Sequence, residues 1–169
     1  MSKVFLISDT HFGHNGISDK FRREFSSDEE HNETIHDNIM NCCGKNNTLW
    51  ILGDVCFKQD QFWRVETYAS SFESVNICLG NHEHRSFAEF CCMKGVKVHG
   101  VVKKWGFWLS HAPIHPQELY RGKNIHGHVH DNTVPDPNYF NVSCENIGYK
   151  PILLQQLKEI FHDRRTVNQ

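Results

Sequence analysis

Three short apolar runs constrain the fold most, because each leads straight into residues that bind metals or move protons. Val4-Phe5-Leu6-Ile7-Ser8 precedes Asp9-Thr10-His11, Thr48-Leu49-Trp50-Ile51-Leu52 precedes Gly53-Asp54, and Ser74-Val75-Asn76-Ile77-Cys78-Leu79 precedes Gly80-Asn81-His82. Continuous apolar runs of this length are expected as buried strands. Helical patterns separate them. Ser27, with Glu30 three residues on, is a capping signal for a helix from about Asp28 to Cys43. Ile35, Ile39 and Met40 form its inner stripe, and Gly44 is its expected stop. A second helix is expected over about Gln59 to Ser71, and a short third over Ser86 to Met93. Strand, helix, strand, helix, strand is the order of a βαβ-based sheet. Such sheets bind ligands at the carboxyl ends of their strands.

From residue 95 the pattern changes. Val96-Lys97-Val98, Val101-Val102-Lys103 and Trp105 to Ser110 are short, alternate, and turn at Gly100 and Gly106, so antiparallel strands are expected. The last of them runs into His111-Ala112-Pro113. The stretch Ile125-His126-Gly127-His128-Val129-His130 then places three histidines within five residues. Imidazole is the commonest metal ligand, and in an extended segment residues two apart point the same way. His128 and His130 are therefore expected to reach one centre or two adjacent ones. Phe140 to Cys144 is expected as a last strand, and Pro151 to Arg164 as a helix packing through Leu153, Leu154, Leu157, Ile160 and Phe161.

Composition excludes several classes. The 169 residues carry a formal charge of -2 and 22% charged side chains, so no overall basic field points to nucleic acid. No apolar run nears the roughly 20 residues of a membrane span. Seven cysteines without a Cys-x-x-Cys motif indicate free thiols and a cytoplasmic location. The basic pairs Arg22-Arg23, Lys103-Lys104 and Arg164-Arg165, and the histidines 31, 36, 84, 99, 115 and 162, are expected at the surface.

Taken together, Asp9-x-His11, Gly53-Asp54, Gly80-Asn81-His82-Glu83, Ser110-His111-Ala112-Pro113 and Gly127-His128-Val129-His130 resemble, in order, the signature blocks of the calcineurin-like metallophosphoesterases. The resemblance is to the small single-domain members and spans most of the chain. It implies a four-layer α/β/β/α sandwich, two mixed sheets flanked by helices, formed by residues 1–169 as one domain. It also implies two divalent metal ions, Mn²⁺ foremost, with Fe, Zn²⁺, Ni or Co as alternatives. Asp9, His11 and His130 would hold one; Asn81, His111 and His128 the other; Asp54 both. His82 would act on substrate as general acid, with a metal-bridging hydroxide attacking phosphorus. Mixed carboxylate, amide and imidazole donors suit these metals. Gly53-Asp54 is followed by Val55-Cys56-Phe57-Lys58, without the arginine found in the protein phosphatase branch. Arg85 is the candidate to replace it, and His14 and His126 flank the ligand sets as further candidates for substrate contact. The implied substrate is a small phosphate ester or nucleotide, chosen by loops 12–28, 56–60 and 112–122. A nuclease is less favoured for want of a basic groove, and a non-catalytic scaffold because every ligand position is kept.

Overall fold

The structure, a computed structural model, describes residues 2–166, with side chains through Arg164. The side chain of Arg165 lies outside the described residues. Strands β1 (Val4–Ile7), β2 (Gly44–Ile51), β3 (Phe72–Cys78) and β4 (Lys97–His99) are parallel neighbours, and β9 (Ile152–Leu153) closes the β1 edge antiparallel. A second sheet has the order β5 (Val102–Lys104), β6 (Phe107–Leu109), β7 (Lys123–His126) and β8 (Tyr139–Asn141). The helices are α1 (Ile17–Lys20), α2 (Asp28–Met40), α3 (Phe62–Ser71), α4 (Phe87–Met93) and α5 (Leu154–Thr166). The result is mixed α/β, two sheets flanked by helices.

Strand periodicity explains the layers. Phe5, Ile7, Leu49, Ile51, Val75 and Ile77 face one way and pack on Ile35 and Ile39 of α2, Val65 and Tyr68 of α3, and Phe87 and Cys91 of α4. Leu6, Trp50, Leu52 and Cys78 face the other way and meet Phe107, Leu109 and Ile125 of the second sheet. Leu154, Leu157 and Phe161 of α5 join that cluster. A strand buried on both faces needs apolar residues at every position, which is why these runs read as continuous.

Several expectations change. Helix α2 ends at Met40, and Gly44 opens β2 instead of stopping a helix; β2 and β3 shift register between Gly44 and Thr48. Of the strands expected to be antiparallel, β5 and β6 pair so: β4 joins the first sheet parallel to β3, while β6, β7 and β8 are parallel. The expected last strand is β8 followed by a 3-10 turn over Cys144–Ile147, and Leu153 belongs to β9 before α5 begins. Ser27 caps α2 through its hydroxyl to the Glu30 N–H at 3.1 Å, but Glu30 reaches back to the N–H of Ser26, not Ser27.

Two surface expectations fail for one reason. Arg22 and His31 are both fully buried, and each supplies the other's missing partner: Arg22 Nη1 donates to His31 Nε2 at 2.6 Å. His36 is half-buried on the Tyr68 hydroxyl at 2.9 Å, and His99 stacks on Trp50 with ring centres 5.0 Å apart. All seven cysteines are free, four of them buried. No helix among the described residues is long and apolar enough to cross a membrane.

Candidate metal centre

Parallel register brings the polar clusters together. Ile7 of β1 lies beside Ile51 of β2, and Ile51 beside Ile77 of β3. Asp9, Asp54 and Asn81 follow within a few residues, so they emerge side by side at one sheet edge. In the second sheet Leu109 of β6 lies beside Ile125 of β7, which places His111 next to the 127–130 turn. Backbone bonds lock the blocks: Asp9 N–H to Gly53 O at 3.0 Å, His11 N–H to Asp54 O at 2.9 Å, and Gly127 N–H to His111 O at 2.8 Å. The two sheets meet where His128 N–H and the Ser143 hydroxyl donate to Asp9 Oδ2 at 2.9 and 2.8 Å.

Two sets of donors result. Asp9, His11 and His130 bring ligand atoms within 4.8 Å of one another, as do Asp54, His111 and His128. Asp54 Oδ2 faces both sets, 3.8 Å from His11 Nε2 and 3.4 Å from His111 Nε2. Asn81 Oδ1 lies 2.9 Å from His111 Nε2, within the second set. Strand β7 ends at His126, so the extended geometry expected through His130 fails there. Positive φ angles at His128 and His130 instead send the two rings to different sets.

The donor chemistry fits a pair of cations. His111 Nδ1 lies 2.8 Å from Leu52 O, which only accepts, so Nδ1 carries the hydrogen. In the neutral ring, Nε2 then presents a lone pair to Asn81 Oδ1, Asp54 Oδ2 and His128 Nδ1, the last at 3.2 Å. One proton satisfies one such contact, whereas a cation satisfies them all. In the first set Asp9 Oδ1 and both nitrogens of His11 are buried without a partner. Each orphaned group costs about 1–3 kcal/mol unless something binds it.

The local field keeps the carboxylates charged. Burial pushes the Asp9 carboxyl up, but His11, His111, Ser8 and the His128 N–H outweigh it and hold it well below the usual range. Burial acts on Asp54 in the same way, and His111 and the His82 N–H reverse it. Burial dominates at His11 and lowers its pKa, favouring the neutral, ligating form. For His111 burial also lowers, but Asp54 more than compensates, and the net shift is upward. His130 is raised chiefly by its hydrogen bond to Glu145, against burial.

The remaining candidates separate. His82 is exposed; its N–H donates to Asp54 Oδ1 at 2.9 Å, and its ring stacks on Phe57 with centres 5.0 Å apart. His14 stands edge-on to Phe57 at 4.5 Å and lines the same cleft of about 890 Å³ as His82, His130, Lys20 and Phe21. Arg85 is exposed and is not among the residues lining that cleft. His126 is fully buried and lines a separate cavity of about 650 Å³ with Tyr139 and Asn141.

Sequence reasoning missed four residues here. Glu83 staples two blocks, accepting from Val55 N–H at 2.9 Å and Gly80 N–H at 2.7 Å. Its place directly after His82 was the available signal. Phe57 supplies the surface under His82. Arg22 and Glu145 lie behind His130, and no local pattern marks either.

Residues 2–167 match the family model described as calcineurin-like phosphoesterase. An uncharacterized protein of Methanocaldococcus jannaschii is 30% identical, with 99% of this chain and 96% of the relative aligned. A protein of unknown function from Aquifex aeolicus superposes with a TM-score of 0.73 at 22% identity, covering 95% of this chain and all of that one. The phosphopantetheinyl hydrolase of Mycobacterium tuberculosis gives a TM-score of 0.41 at 20% identity, covering 68% of this chain and 42% of that one. With its signature blocks gathered at one edge and its length matched almost end to end, this chain belongs to the calcineurin-like phosphoesterase family.

Proposed function

We propose that the protein hydrolyses phosphoric esters at a centre of two divalent metal ions, with small phosphodiesters or nucleotides as substrates. The observation that carries this reading is Asp54 Oδ2, one oxygen turned toward both ligand sets. Asp9, His11 and His130 would hold one ion, Asn81, His111 and His128 the other, and Asp54 both. Two such ions, when bound, supply an activated water near neutral pH and neutralise the phosphate oxygens. His82 would act on the substrate rather than the metals, a reading supported by its position lining the cleft. Its backbone is tied to Asp54 and its ring rests on Phe57, which keeps the imidazole at the cleft, where it would protonate the leaving oxygen as general acid. A cleft of about 890 Å³ lies within the usual range for small-molecule sites. Lys20 on its rim offers a charge for a phosphate, and Phe21 and Phe57 offer flat apolar surface for the rest of the ester.

The test is hydrolysis of bis-p-nitrophenyl phosphate beside p-nitrophenyl phosphate, with Mn²⁺ and with EDTA. Mn²⁺-dependent cleavage of the diester is expected. Cleavage of the monoester alone would make the protein a phosphatase. No cleavage by protein that carries two metals would overturn the catalytic reading. His82→Ala is expected to keep both metals and lose about 10²–10⁴-fold in kcat, the usual contribution of a positioned acid.

A further inference from the structure

The buried wall behind His130 holds a charged pair that the chemistry above leaves unexplained. Arg22 is fully buried, and each of its three guanidinium nitrogens has a hydrogen-bond partner. Nε donates to Glu145 Oε1 at 2.8 Å, Nη2 to the backbone oxygen of Asp9 at 2.6 Å, and Nη1 to His31 Nε2 at 2.6 Å. The same Glu145 Oε1 accepts from His130 Nδ1 at 3.0 Å. One ion pair thus touches two members of the first ligand set and none of the second.

Placing an arginine and a carboxylate here costs desolvation that apolar packing would avoid. The geometry gives a reason to keep them. A carboxylate only accepts, so His130 must carry its hydrogen on Nδ1. That leaves Nε2 as the bare nitrogen and fixes the ring plane, which stacks on His11 with centres 5.0 Å apart. Arg22 holds Glu145 in place and, through the Asp9 carbonyl, pins the backbone that presents the other ligand. Asp9 and His130 both sit at positive φ, 59° and 51°, a conformation that L-residues adopt at some cost and that hydrogen bonds to the backbone and side chain help to hold.

We propose that Arg22 and Glu145 are positioning residues for the first metal alone: they set the tautomer and orientation of His130 and the backbone of Asp9, and so confer the affinity of that one site. The proposal rests on the two-metal reading. Carboxylates that accept from a metal-bound histidine typically contribute 10–100-fold in metal affinity.

The test titrates metal-free protein with Mn²⁺, reading binding by calorimetry and free Mn²⁺ by electron paramagnetic resonance. Wild type is expected to bind two ions. Glu145→Gln, nearly isosteric, is expected to weaken one step about 10-fold and Glu145→Ala about 100-fold, leaving the other step unchanged. The affected step is identified by a cycle: Glu145→Gln adds nothing in a His11→Ala background and keeps its full effect in a His128→Ala background. Glu33→Gln breaks another arginine pair, Arg64 Nη2 with Glu33 Oε1 at 2.6 Å, and serves as a control for general destabilisation. It is expected to change neither step. Two unchanged steps in both Glu145 variants, or equal weakening of both, would overturn the proposal and leave the two-metal reading intact. Wild type that takes up no Mn²⁺ would overturn both.

Discussion

Five of the seven candidate ligands, Asp9, His11, Asp54, His128 and His130, have positive φ. Most non-glycine residues adopt that conformation at a cost of roughly 1–2 kcal/mol; aspartate and histidine tolerate it better than most, and such outliers concentrate at functional sites. Residue type was legible: aspartate, asparagine and histidine directly after apolar runs. Backbone conformation was not, because it is imposed by bonds such as Asp9 N–H to Gly53 O, which join distant segments. His31 shows the same limit. Its burial and the Arg22 charge lower its pKa to about 3. An unfolded histidine titrates near 6.5. Below that value the unfolded chain takes a proton that the folded chain refuses, so stability is lost as pH falls from 6.5 toward 3, and nothing changes above 6.5. Urea unfolding in EDTA at pH 7.5 and 5.5 should show His31→Gln losing about 1.4 kcal/mol less than wild type between the two. Equal losses would contradict a neutral buried His31.

At the scale of elements, the strand ends depend on glycines that leave no room. A Cβ on Gly127 would overlap the Ser8 hydroxyl and Asp9 Oδ2, and one on Gly53 would lie 2.5 Å from the His111 ring. The blocks can close on one another only because these positions lack side chains. Gly127→Ala is expected to lower stability by about 1–3 kcal/mol, the cost of overpacking, and to reduce Mn²⁺ binding. Gly100→Ala, with nothing within 4 Å, is the matched control and should be near neutral in both. Wild-type Mn²⁺ affinity in Gly127→Ala would show that the two blocks do not need their close approach. The runs that became β1, β2 and β3 were legible because a strand buried on both faces is apolar throughout. The partners of β4, β6, β7 and β8 were not, because a three- or four-residue strand carries too little pattern to say whether its neighbour is parallel.

The whole molecule is two sheets joined at the candidate centre, with Asp9 of the first accepting from His128 and Ser143 beside the second. Each metal ion bound there would stabilise the native state by mass action, by about 2.7 kcal/mol at a free concentration one hundred times its Kd. For a chain of this size that is about 5–10 °C in thermal midpoint. EDTA should therefore lower the midpoint of metal-loaded protein by that order, and added Mn²⁺ should restore it. An unchanged midpoint in protein shown by elemental analysis to have lost two ions would mean the site does not join the sheets. By itself the sequence determined the family, the α/β first half, and the residue types that gather at the strand ends. Those properties are written in short stretches, where an apolar run and the polar group after it are neighbours in the chain. Only the tertiary structure decided that His126 lines a different cavity from His128 and His130, that Phe57 lies under His82, and that Arg22 and Glu145, 123 residues apart, stand together behind His130. A buried ion pair has no periodicity and no local composition; its two halves become partners only when the chain has folded around them.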